Sequence, residues 1–156
     1  MDQIIPERPA PGWFTLAAIG AVLFELAGCA MYLMQVSVDP AALPVDQRAL
    51  WDAAPGWMVA AYAVAVWVGL VGAILLVMRR RLAEKLLLVS FLAVIVQFSA
   101  LLLVPQLRNL TTSDALFLPF IIIVVSYSVW HFAWTARRSG WQSRLHARII
   151  ALGIME

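Results

Sequence analysis

Four stretches of this chain, about 13–36, 57–78, 82–104 and 116–136, are apolar over lengths that match the ~20 residues a helix needs to cross ~30 Å of hydrocarbon. Nothing else in the sequence constrains the fold as strongly. Hydrocarbon offers no hydrogen-bond partner to a peptide group, so a segment that crosses it must satisfy its own amides, which a helix does. The remainder agrees. Of 156 residues, 63% are hydrophobic and 13% charged, well above the apolar share of about 45–50% in soluble domains. Once four spans are removed, only a loop over 37–56, two short connections and two tails face water. No soluble catalytic domain fits in what remains, and no enzyme motif is found. The expected fold is all-α, an integral membrane four-helix bundle forming one domain over 1–156, with a short interfacial helix in the first loop and an amphipathic tail over 137–156.

The first stretch exceeds the 7–15 apolar residues of a secretion signal core and carries only Arg8 before it, so it reads as a retained span. Basic residues resist translocation and set orientation. Arg8, Arg79, Arg80, Arg81, Lys85, Arg137, Arg138, Arg144 and Arg148 fall on one side, and only Arg48 and Arg108 on the other. Both termini are therefore expected on the cytoplasmic side. Arg79, Arg80 and Arg81 read as topology anchors of a tight helical hairpin, reaching toward lipid headgroups. The net charge of +2 gives no reason to expect nucleic acid.

The loop segment Pro44-Val-Asp-Gln-Arg-Ala-Leu-Trp-Asp-Ala-Ala reads as a helix with Pro44 in its first turn, ended by Pro55-Gly56. Trp51 and Trp57 suit the aromatic belt at a membrane interface, so the helix is expected along the periplasmic surface. Asp39, Asp46 and Asp52 lack the alternating oxygen-ligand spacing of a calcium loop and read as solvated, with no metal. In the tail, Trp141, Leu145, Ile149 and Leu152 form an apolar stripe at helical spacing, suited to the inner leaflet or to a partner subunit. Cys29 is the single cysteine, so no intrachain disulfide is possible.

Polar residues inside a span are costly and face protein or water, so they are where function is sought. In the first span Ala18, Ala21, Glu25, Gly28, Cys29, Tyr32 and Gln35 recur at intervals of three and four and share one face. In the second, Ala61, Ala65, Gly69 and Ala73 make a small-residue ridge that allows close helix packing, and Gly28 adds to it from the first. The third gathers Ser90, Ala93, Gln97 and Ala100, and the fourth Tyr127, Ser128, His131 and Thr135. Together these faces are expected to line the bundle interior.

Glu25 sits near mid-span, where an ionised carboxylate costs at least ~2.5–3.5 kcal/mol, so it must be neutral or partnered. Rise along the helix places Glu25 and Tyr127 each roughly 16 Å deep and Ser128 roughly 18 Å, which makes Tyr127 and Ser128 its expected partners. Three roles stay open: a protonated acid that fixes helix register, a proton-coupling or substrate-binding carboxylate walled by Gln97, Tyr127 and His131, or a contact with a partner. A lone His131 does not make a haem or pigment site, and no cofactor is expected.

These motifs resemble a family of small bacterial four-helix inner-membrane proteins that carry the label "sugar transporter". The likeness rests on Gly28-Cys-Ala-Met-Tyr-Leu-Met-Gln35, Asp39-Pro-Ala-Ala-Leu-Pro, Gln47-Arg-Ala-Leu50, Pro55-Gly-Trp57, Ala60-Ala-Tyr-Ala-Val-Ala-Val66, Gly69-Leu-Val-Gly72, Arg79-Arg80 and Gln97. It covers most of the chain and implies membrane residence, with transport only through the label. The family tends to carry asparagine at the Glu25 position, which separates this carboxylate from a family-wide role. Pro105-Gln106 resembles the proline-glutamine pair of small sugar carriers but lies at a helix end.

Two functions follow. The favoured one is a noncatalytic accessory or scaffold subunit held in the lipid bilayer by contact with other membrane subunits. The other is a homo-oligomeric carrier of a small polar solute of the sugar type, coupled to protons through Glu25. The absence of an internal repeat and of a broken midplane helix weighs against the carrier.

Overall fold

The computed structural model describes residues 11–141, and these are helical with no strand. Four helices are long and apolar enough to cross a membrane: α1 (Trp13–Ser37), α3 (Gly56–Val77), α4 (Leu82–Leu103) and α6 (Phe117–Arg138). The protein is a multi-pass membrane protein. Two short helices lie between spans, α2 (Val45–Ala53) and α5 (Pro105–Leu110), with 3-10 turns at Pro40–Ala42 and Asp114–Leu116. The expected interfacial helix is α2, with Pro44 at its N-cap. The sequence reading missed α5. Pro105 lacks the amide that would continue α4, yet suits the first position of a new helix, so the chain turns there and starts again.

We call the end of the bundle that holds the α3–α4 turn the hairpin end, and the opposite end, with α2 and α5, the loop end. Helix α3 packs against both α1 and α4, and α4 against α6. Small residues make these approaches possible. A Cβ placed on Gly28 would lie 3.1 Å from Val66 Cγ1, and one on Gly72 would lie 3.0 Å from Leu87 Cγ. The outward faces carry Leu16, Leu23, Val71, Leu92 and other exposed apolar side chains, as lipid-facing helices should.

The densest packing is at the hairpin end, where Phe14, Ala18, Leu76, Ala83, Leu87, Ala133 and Ala136 are buried together. Here α1 meets α6 through Phe14 and Phe132 (ring centroids 5.3 Å apart) and Trp13 and Phe132 (5.6 Å). Helix α6 ends with Gly140 at φ 74° and a bond from Trp141 N to Ala136 O of 3.1 Å, the left-handed reversal that closes many helices. That reversal carries Trp141 back onto Phe14 (5.9 Å) and Trp13 (6.0 Å). Trp141, expected as an interfacial anchor, is thus half-buried and packs against this chain's own core. The rest of the apolar stripe (Leu145, Ile149, Leu152) lies outside the described residues.

Helix α3 ends by the same reversal, with Arg80 N bonded to Leu75 O at 2.9 Å, but its left-handed residue is Arg79 at φ 58°. The Arg79 guanidinium lies over the Phe14 ring at 5.4 Å. Arg79 therefore turns inward against the bundle, whereas Arg80 and Arg81 are exposed.

Candidate functional site

Glu25 lies in a notch that α3 provides. It is 5% exposed, and its carboxylate covers Gly69: a Cβ there would stand 2.6 Å from Glu25 Cδ, in collision with Oε2, and 2.7 Å from Ser90 Oγ. Carboxyl, glycine and hydroxyl thus meet where α1, α3 and α4 converge. The Ser90 hydroxyl donates to Ala65 O at 2.7 Å, which ties α4 to α3 and leaves the Ser90 oxygen free to accept. Further along the same seam, the Cys29 thiol donates to Val66 O at 3.4 Å and the Tyr62 hydroxyl to Gly28 O at 3.3 Å. Tyr32 and Tyr62 pack edge to face at 5.3 Å.

The α1, α3 and α4 faces expected inside are inside. Ala18, Ala21, Glu25 and Cys29 are buried, as are Ala65, Gly69, Ala73, Ser90, Gln97 and Ala100, while Gly28, Tyr32, Gln35 and Ala61 are half-buried. The expected face of α6 is not. Tyr127 is 47% exposed, and Ser128 and His131 are exposed with it. The Ser128 hydroxyl donates back to Val124 O at 2.7 Å, so neither Tyr127 nor Ser128 partners Glu25. The inward face is Ser126, Ala133 and Ala136. One residue turns a helix by about 100°, so choosing Tyr127 over Ser126 rotated the whole face. The signal that would have found it is side-chain size: the buried residues facing α4 are the small ones, Ser128 and His131 point away, and Tyr127, half exposed, rests the edge of its ring on Phe91 of α4 (5.8 Å).

On the outward face, Tyr127 and His131 stack at 5.9 Å, His131 and Trp134 lie 5.5 Å apart, and Arg138 sits 4.1 Å over Trp134. This is a polar and aromatic ladder along a helix that lipid would otherwise meet.

No family model, curated protein or solved structure matches the chain.

Two further features escaped the sequence reading. Glu84, buried in the first turn of α4, pairs with Arg137 in the last turn of α6. An acid and a base at the same depth on neighbouring spans were the available signal, hidden because Arg137 was counted as a topology charge. The second is a cavity of about 530 Å³ at the loop end. It lies between the end of α1 and the start of α6, against α3 and α4, with α2 and α5 also contributing to its wall. Trp51, expected as a belt residue, lines it, and so do Gln35 and Pro119. Trp57 is exposed.

Proposed function

We propose that this protein is a noncatalytic accessory or scaffold subunit of a larger membrane assembly, and that α6 is the helix through which it binds its neighbour. What supports the reading is the outward Tyr127, Ser128 and His131. Tyr127 lies about 16 Å from the hairpin end of α6 at 1.5 Å per residue, near the middle of the bilayer, where polar side chains are held against protein instead of lipid. The occupant that fits is a transmembrane helix of another subunit. Such a helix would cover the phenol and imidazole and offer them hydrogen-bond partners.

The carrier reading has the loop-end cavity in its favour. A sugar, however, needs many hydrogen-bond partners, and that cavity is lined mainly by apolar side chains. Glu25 is enclosed between helices with Gly69 beneath it, a place suited to fixing register more than to passing a solute. The family likeness, the bacterial inner membrane and the cytoplasmic placement of both termini belong to the same proposal.

The test is native mass analysis of tagged protein extracted from its own membranes, with crosslinking from a photoreactive residue at position 128. A complex of defined stoichiometry, crosslinked at 128 to a different polypeptide and dissociated by the double substitution Tyr127→Leu and His131→Leu, is the expected result. A monomer, or a homo-oligomer with 128 crosslinked to a second copy, would overturn the accessory role.

A further inference from the structure

We propose that the loop-end cavity is a binding site for a neutral single-chain amphiphile with a hydroxyl or carbonyl head, the chemistry of a monoacylglycerol or a long-chain alcohol. The inference goes beyond the assembly reading and does not rest on it.

The volume, about 530 Å³, falls within the ~300–1,000 Å³ of small-molecule sites. The space is a half-open cleft, with Val38, Gln47 and Leu50 exposed at its rim, and water against its inner wall finds few of the two to four polar partners that hold an ordered water. Here Leu43, Leu50, Trp51, Phe98 and Leu101 line the wall and offer almost none. An apolar chain suits this wall, since it makes dispersion contacts with these side chains and removes apolar surface from water.

The head group is argued from the polar atoms that remain. Gln35 and Gln47 line the cavity, and neither amide is bonded to another described residue. Thr111 also lines it; its hydroxyl proton is committed to Leu107 O at 2.7 Å, which leaves its oxygen as an acceptor only. No charged side chain is among the lining residues. Arg48 and Asp52 on α2 pair with each other at the exposed surface. An ionised head would therefore lose its hydration without gaining a countercharge. Two primary amides, each a donor and an acceptor, suit a hydroxyl or a carbonyl.

Depth agrees with this choice. Met58 and Val59 are in the first turn of α3, Pro119 is in the first turn of α6, and Phe98 and Leu101 are in the last two turns of α4. All lie within about 9 Å of the ends of their spans at 1.5 Å per residue, the boundary between headgroups and acyl chains where an amphiphile places its polar end.

The experiment uses the full chain in phosphatidylcholine liposomes with a monoacylglycerol carrying a diazirine in its chain, followed by peptide mapping of the labelled sites. Labelling is expected on segments 43–59 and 98–119, and excess unlabelled monoacylglycerol should suppress it. Ala54→Trp, which fills the space, should lower it at least tenfold. The double substitution Gln35→Leu and Gln47→Leu should lower it about fivefold, the effect of losing about one hydrogen bond. Labelling spread over the outward faces of all four spans, or unchanged by competitor, would overturn the site. Stronger labelling by a phosphatidylglycerol analogue would overturn the neutral head and assign the cavity to a phospholipid. If Ala54→Trp fails to fold, the competition on the unaltered protein still decides.

Discussion

At Gly69 the missing side chain is what admits Glu25 to the bundle. Gly69→Ala sets a methyl group against the Glu25 carboxyl and the Ser90 hydroxyl, and overpacking of this kind costs about 1–3 kcal/mol. Glu25→Ala should remove most of that penalty in the Gly69→Ala background. A double-mutant cycle, read by unfolding in mixed micelles, is expected to show coupling above ~0.5 kcal/mol; additive effects would remove Glu25 from the notch. Glu25→Gln keeps shape and loses the titratable proton, and the register role expects fold and growth to be unchanged. A growth defect with the fold intact would instead favour proton coupling. Arg79 poses a different question, because it occupies the left-handed region that glycine adopts without cost and other residues adopt at about 1–2 kcal/mol. Arg79→Ala and Arg79→Gly both lose the contact with Phe14. The glycine variant should nevertheless be the more stable by about 1 kcal/mol, and equal stability would mean that the turn relaxes.

Among elements, α6 is held to α4 midway, where Phe91 meets Tyr127 (5.8 Å) and Trp130 (6.1 Å), and again at the hairpin end. Ala133 and Ala136 enter the core there, Phe132 meets Phe14, and Arg137 reaches Glu84 on α4. Leaving a buried polar group without its partner costs about 1–3 kcal/mol, and the exposed side of Arg137 places this ion pair toward the lower part of that range. Arg137→Met should destabilise the protein more than Glu84→Gln does, because it leaves the more buried carboxylate without a partner. The pair of changes together should cost less than their sum. Thermal unfolding in detergent, monitored by helical circular dichroism, measures all three. Helix α2 behaves differently. Its exposed Arg48–Asp52 pair adds little, and its place is set by Leu50 and Trp51 at the cavity.

For the whole molecule, the number and length of the spans were legible because hydrophobic length is a property of each segment alone. The inward faces of α1, α3 and α4 were legible too, since Glu25, Gly28, Gly69 and Gln97 mark them by residue type. The face of α6 was not, because Ser128 and His131 point away from the bundle and the inward Ser126, Ala133 and Ala136 are merely small. Nor were the Gly69 notch and the cavity, which need three or more helices at once. The bias of basic residues toward the hairpin end predicts that reporter fusions at either terminus will be active only as cytoplasmic reporters. A reporter active outside the cell from either terminus would reverse the orientation.

Residence in lipid, four helical crossings and a reversal of direction at Arg79–Arg81 could be read from the residues alone, because each follows from hydrophobic length and local backbone chemistry. Which side of α6 is turned to α4, what Glu25 touches, the meeting of Arg137 with Glu84, and the closing of α1 and α6 on aromatic rings at one end and around a cavity at the other emerged once the helices were packed. Those outcomes depend on how side-chain sizes from separate helices fit together, and no single segment carries that information.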